Sequence, residues 1–70
     1  MKLFVWKDVL TDYTSGIAFA FAENADEARK SILDKYEKEQ SYISQVLVSD
    51  LMAEPLVVDS KEGFYVWGSG

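Results

Sequence analysis

The sequence predicts an α+β fold, a small and mainly antiparallel sheet with helices on one face, in the order β-β-α-(α)-β-β. Three observations carry this. Two strand-forming apolar stretches near the N-terminus are separated by a polar turn segment. A stretch with helical periodicity follows, opened by a residue suited to an N-cap. After Pro55, β-branched and aromatic residues return in short runs. Strands and helices grouped in this way segregate the helices onto one side of the sheet.

Residues 2–10 read as the first strand. Phe4, Val5, Trp6 and Val9 favour extended backbone, with Leu3 and Val5 on one face and Phe4 and Trp6 on the other. A strand apolar on both faces is expected to be covered on both, by a helix, another segment or a second chain. Residues 11–16 read as a loop: Asp12, Thr14 and Ser15 can bond nearby backbone, and Gly16 tolerates positive φ. The alternation over 16–22 predicts a second strand, hairpinned to the first. Ile17, Phe19 and Phe21 form a bulky face, expected to be core, and Ala18, Ala20 and Ala22 form a flat one.

Asn24 with Glu27 three residues later is a capping-box-like pattern, and Asp26 and Glu27 suit the positive end of a helix. Ala25, Ala28, Ile32, Leu33 and Tyr36 then recur as one apolar stripe, so a helix is expected to about residue 39. Asp26 with Lys30 and Asp34 with Lys38 are spaced as supporting ion pairs. Residues 41–54 are ambiguous. Tyr42 to Val48 can be a strand, but Ile43, Val46, Leu47 and Leu51 fit a helical face, with Ser41 to cap it and Pro55 to stop it. Short strands are expected over 56–59 and 64–67 around a turn at 59–63, which would set Trp6 and Trp67 near one another. The spacing of the first half also resembles the β-grasp of ubiquitin.

Seventy residues read as a single domain over 1–70. A chain this short buries only about 60% of the surface its unfolded form exposes. With no cysteine and no histidine, disulfides and soft-ligand metal sites are excluded as staples, leaving packing or self-association. Hydrophobic residues make up 49%, too many for a disordered chain. The formal net charge is −5, which offers no basic footprint for nucleic acid or an anionic membrane and favours a protein partner with a basic surface. Lys2, Lys7 and Asp8 interrupt any apolar signal-peptide core, so a cytoplasmic location is expected.

The same two missing residue types remove the commonest general base and the strongest nucleophile, so no enzyme, cofactor or metal is expected. Asp8 and Asp12 flank the first loop as a carboxylate pair, which ordinary turn chemistry explains better than a cation site. Ser31 and Lys35 lie one helical turn apart, a spacing best read as a solvated surface pair. There is no phosphate-cradling glycine loop.

Charge and aromatic layout are more informative. No cation lies between Lys7 and Arg29 or between Lys38 and Lys61, while nine carboxylates fall in those two intervals: Asp8, Asp12, Glu23, Asp26, Glu27, Glu39, Asp50, Glu54 and Asp59. A core of this size does not enclose every large ring, and aromatics left on a sheet face mark interfaces. The expected contact residues are therefore Trp6, Asp8, Asp12, Tyr13, Tyr65 and Trp67, facing a partner or a second copy in a homodimer.

The segment Trp6-Lys7-Asp8-Val9-Leu10, then Asp12-Tyr13-Thr14 and Gly16, and the closing Tyr65-Val66-Trp67-Gly68 resemble a set of short bacteriophage and prophage proteins. These share a W-x-D-V-L-x-D-Y-T-x-G segment and a C-terminal Y-V-W/Y-G-x-G segment. The resemblance touches both ends of the chain and implies a phage accessory protein that binds and inhibits a host macromolecule, such as an anti-CRISPR or other inhibitor of host defence acting on a protein or ribonucleoprotein in the host cytoplasm. Two alternatives stand beside it. One is a sponge-like small-ligand binder using the first loop and the aromatic rings. The other is a ubiquitin-like modifier, although Ser69 separates Gly68 from Gly70 where a diglycine would be needed.

Overall fold

In the computed structural model, which describes residues 1–11 and 14–67, the chain runs β1 (Lys2–Val9), β2 (Gly16–Ala22), α1 (Ala25–Gln40), α2 (Gln45–Asp50) and β3 (Leu56–Val58). The α+β class holds. The three strands form one antiparallel sheet in the order β2-β1-β3, so β1 is central and β2 and β3 are edges. Residues 64–67, expected as a fourth strand, are not in a ladder. The reason is local: β3 ends at Val58, a turn follows in which the Glu62 N–H donates to the Asp59 carbonyl at 3.0 Å, and the chain then runs on without pairing. Among the described residues no helix is long and apolar enough to cross a membrane.

The register assigns the faces. Phe4 pairs with Ala20 and Val57, and Trp6 with Ala18, so these residues share the side covered by the helices. Leu3 pairs with Phe21 and Val58, Val5 with Phe19 and Leu56, and Lys7 with Ile17, on the opposite side. The bulky face of β2 is therefore not core, contrary to expectation: Ile17, Phe19 and Phe21 are 46%, 59% and 64% exposed. The alanine face packs inward instead. Ala22 and Ala28 are buried and Ala18, Ala20 and Ala25 lie against the core, small side chains on both partners that let α1 approach the sheet closely. Core volume comes mainly from β1 and α2, through Phe4, Trp6, Val9, Leu47 and Leu51.

The hairpin connection carries an irregularity. The register slips between Lys7 and Val9, and Asp8 (φ 57°) and Leu10 (φ 48°) take left-handed backbone. Aspartate tolerates that region, whereas a bulky leucine there is strained. The Leu10 N–H is held by the Asp50 carboxylate at 2.8 Å, tying the end of the strand to α2. Gly16 is needed for close approach and not for positive φ, because a Cβ there would sit 2.8 Å from the Val9 carbonyl oxygen.

Helix α1 begins as its sequence indicates. The Asn24 side chain accepts from the Glu27 N–H at 2.9 Å, and the Glu27 carboxylate reaches back to the Glu23 N–H at 3.2 Å. The ion pairs on its surface differ from the expected set: Asp26 pairs with Arg29, Lys30 with Asp34 and Lys35 with Glu39. Arg29 outcompetes Lys30 for Asp26 because its guanidinium is already anchored, Nε donating to the Leu51 carbonyl at 2.6 Å. Ser41 does not cap the second helix. It ends α1 in left-handed backbone (φ 66°), its N–H donating to the Glu37 carbonyl, and Ser44 caps α2 by accepting from the Leu47 N–H. The shift leaves α2 short. It buries Leu47 and Leu51, while Val46 and Ile43 stay more than half exposed.

Candidate interaction surface

The expected contact residues separate. Trp6 does not belong to the surface: it is 2% exposed, its indole N–H donates to the Ala53 carbonyl at 2.8 Å, and the Arg29 guanidinium lies 5.4 Å from its ring centroid. Trp6 is thus a latch between the sheet, α1 and the segment after α2. It also lies on the helix side, so it is not the neighbour of Trp67 that two adjoining terminal strands would have made it. Asp12 and Tyr13 lie outside the described residues, as do Gly68, Ser69 and Gly70, on which the modifier alternative depends.

Asp8 and Trp67 are brought together, and Tyr65 joins them only through its contact with the Trp67 ring. A cleft of about 370 Å³ is lined by Lys7, Asp8, Thr14 to Ile17, Val66 and Trp67, where the chain beyond β3 passes the end of the first hairpin. Trp67 is 84% exposed and Tyr65 77%, and their rings meet edge to face with centroids 6.0 Å apart. This packing orders two large rings without removing them from solvent. Lys7 beside Asp8 makes the cleft mixed in charge. Several other carboxylates are engaged within the fold: Asp26 with Arg29, Glu27 and Asp50 with backbone N–H groups, and Glu23 with the N-terminal ammonium at 4.0 Å. The acidity counted along the chain therefore does not gather into one patch around Asp8.

The cleft lies at the Lys7/Ile17 end of the sheet face away from the helices, a face on which Val5 and Val58 are buried while the β2 side chains stay exposed. That face presents Ile17, Phe19, Phe21 and Leu56, and sequence reasoning missed it by turning β2 over. The usable signal was size matching. Alanines alternating on β2 and recurring at Ala25 and Ala28 on the helix belong opposite one another, leaving the phenylalanines for the other side.

A third feature is a groove of about 390 Å³ between α1 and β2, walled by Val9, Ala18, Ala20, Ile32, Tyr36 and Leu47. Ser31 and Lys35 stand at its rim, where Lys35 is drawn to Glu39 at 3.5 Å rather than to the serine. Tyr36 is also linked to Tyr42, the two hydroxyls 2.8 Å apart. That hydrogen bond, together with the neighbouring tyrosine's charge and slight desolvation, raises the Tyr42 phenol above its ordinary value. Among the described residues no group of three or more aspartate or glutamate side chains is placed to hold a metal ion. No family model matches this chain, and neither a curated protein nor a solved structure matches it.

Proposed function

We propose that this chain is a binding protein that docks a macromolecular partner at the cleft formed by Asp8, Thr14 to Ile17 and Trp67, with Tyr65 set against the Trp67 ring. The observation that carries the reading is the exposure of those two rings, held edge to face beside a loop end fixed by Asp50. Tryptophan and tyrosine are the side chains that most often dominate an interface, because they bring large area with few rotors to freeze. The resemblance of Trp6 to Gly16 and Tyr65 to Gly68 to phage proteins supplies the context: the partner is a host protein or ribonucleoprotein with a basic surface, such as a defence effector, and binding blocks it. Affinity capture from host lysate tests this. The reading expects one partner retained by the wild-type chain and lost with both Trp67→Ala and Asp8→Lys, and capture that survives both changes would sink it.

The apolar groove between α1 and β2 favours a second reading, a small-ligand binder. Native mass spectrometry of protein purified from its own host would then show a retained mass that is lost when Ala20→Leu fills the groove. A consistently bare chain counts against it.

A further inference from the structure

We propose that the open edge of β2 takes up an extended segment of another protein, which adds to the sheet as a further strand in the groove between β2 and α1. The groove is the one suggested above for a small ligand, but its occupant here is a polypeptide. The site stands whether or not the cleft at Trp67 has its own partner. β2 ends the sheet order and pairs only with β1, so alternate N–H and C=O groups along Gly16–Ala22 point away from the ladder. Among the described residues none of them meets a further backbone partner. The groove reaches this edge. Its walls include Ile17 and Phe19 from one face of β2 and Ala18 and Ala20 from the other. A space that touches both faces of a strand runs along its rim rather than over a face. Ile32 and Tyr36, one turn apart on α1, form the opposite wall, and none of the described residues after β3 lines it.

The chemistry of the site selects the occupant. A hydrocarbon in this groove would cut the edge amides off from water and leave them unpaired, at a cost. Another backbone offers donors and acceptors at the same repeat, ~6.8 Å for two residues. Natural edges refuse such a strand with charges or proline, and β2 has neither. The β2 of a second copy is a poorer occupant. α1 packs on β2 through Ala18 and Ala20, so a second α1 would arrive one strand spacing away, ~5 Å, where packed helices need ~8–10 Å. Lys35 at the rim is already drawn to Glu39 at 3.5 Å, so the groove asks for no charge within the added strand. The net charge of −5 favours basic residues on either side of it. The segment is thus uncharged, free of proline and apolar at alternate positions, with β-branched or aromatic side chains beside Phe19.

Panning a random twelve-residue peptide library on the folded chain should enrich that pattern. In the free chain, amide hydrogen exchange over residues 17–21 should alternate between slow and fast, and an enriched peptide should slow the fast set. Methylating the peptide's backbone nitrogens one at a time should weaken binding at least about 10-fold at every second position, where the N–H faces β2. Ser31→Trp, an exposed position on the α1 rim, should weaken binding at least about 10-fold by overhanging the groove while leaving the urea midpoint unchanged. A library that enriches nothing overturns the proposal, as does a methylation profile without the two-residue period. So do edge amides already protected in the free chain, the sign of a second copy, and peptide binding lost with Trp67→Ala but not with Ser31→Trp, which would belong to the cleft.

Discussion

Exchanging polarity on the two faces of β2 is the sharpest test of the fold. Phe19→Thr keeps a strand-forming residue and removes a ring that is 59% exposed. If Phe19 were core, truncation would cost about 3–5 kcal/mol. A domain of this length has only about 4–10 kcal/mol of stability in total, so such a loss would leave much of the population unfolded. The observed exposure leaves less than half of the ring's burial to lose, and the cost should be about 1 kcal/mol or less. Ala22→Leu is the reciprocal change. Ala22 is 4% exposed and packed in the core with Ala28, which is fully buried, so three extra heavy atoms meet α1 and should cost about 1–3 kcal/mol. Urea unfolding monitored by far-UV circular dichroism gives both numbers from midpoints at constant slope. A loss above ~3 kcal/mol for Phe19→Thr with little change for Ala22→Leu would place the sheet the other way up and refute the assignment of its faces.

Three further outcomes follow from named contacts. Trp6→Phe should destabilise the domain by about 1–3 kcal/mol in the same assay, because it leaves the Ala53 carbonyl without its indole donor and puts a smaller, weaker cation–π ring beneath Arg29. Asn24→Ala should cost about 1 kcal/mol, and Asn24→Asp should be nearly neutral, since either oxygen can accept from the Glu27 N–H. Tyr42 has a raised folded-state pKa, so the fold binds its proton more tightly than the unfolded chain does. Its contribution is present in full below the unfolded value of about 10 and is lost as pH rises through the folded value. A tyrosinate absorbance titration of Tyr36→Phe should therefore move the Tyr42 transition back down toward the ordinary value.

Much of the architecture was legible because local chemistry and periodicity agreed. Asn24, Glu27 and the stripe from Ala25 to Tyr36 specify α1 without reference to anything distant. The orientation of β2 was not legible in the same way, because alternation reports that two faces differ and not which one the helix covers. Ser41 and Ser44 are chemically equivalent caps, and only the left-handed turn that ends α1 decides between them. Trp6 falls among the expected contact residues because a core of this size is not expected to enclose every large ring, yet its indole is buried. The carbonyl that serves it belongs to Ala53, forty-seven positions along the chain, and no short-range pattern points there. Asp8 and Trp67 were named together from opposite ends of the sequence, and the cleft does join them. Tyr65 joins through its ring contact with Trp67.

The two faces of β2 are a single feature seen from opposite sides. Small residues let α1 lie close, and that closeness means β2 adds little volume to the core, so its phenylalanines do little for the isolated chain. β2 is moreover an edge strand, and from Gly16 to Ala22 it carries neither a charge nor a proline. Edges left to solvent are usually blunted by such residues because an open apolar edge recruits other chains. Solvation alone would favour threonine, lysine or glutamate at positions 17, 19 and 21. Isoleucine and two phenylalanines there add little to the stability of a single copy, so Phe21→Thr, like Phe19→Thr, should leave the urea midpoint nearly unchanged, and a large drop for either would mean that their exposed rings are packed after all.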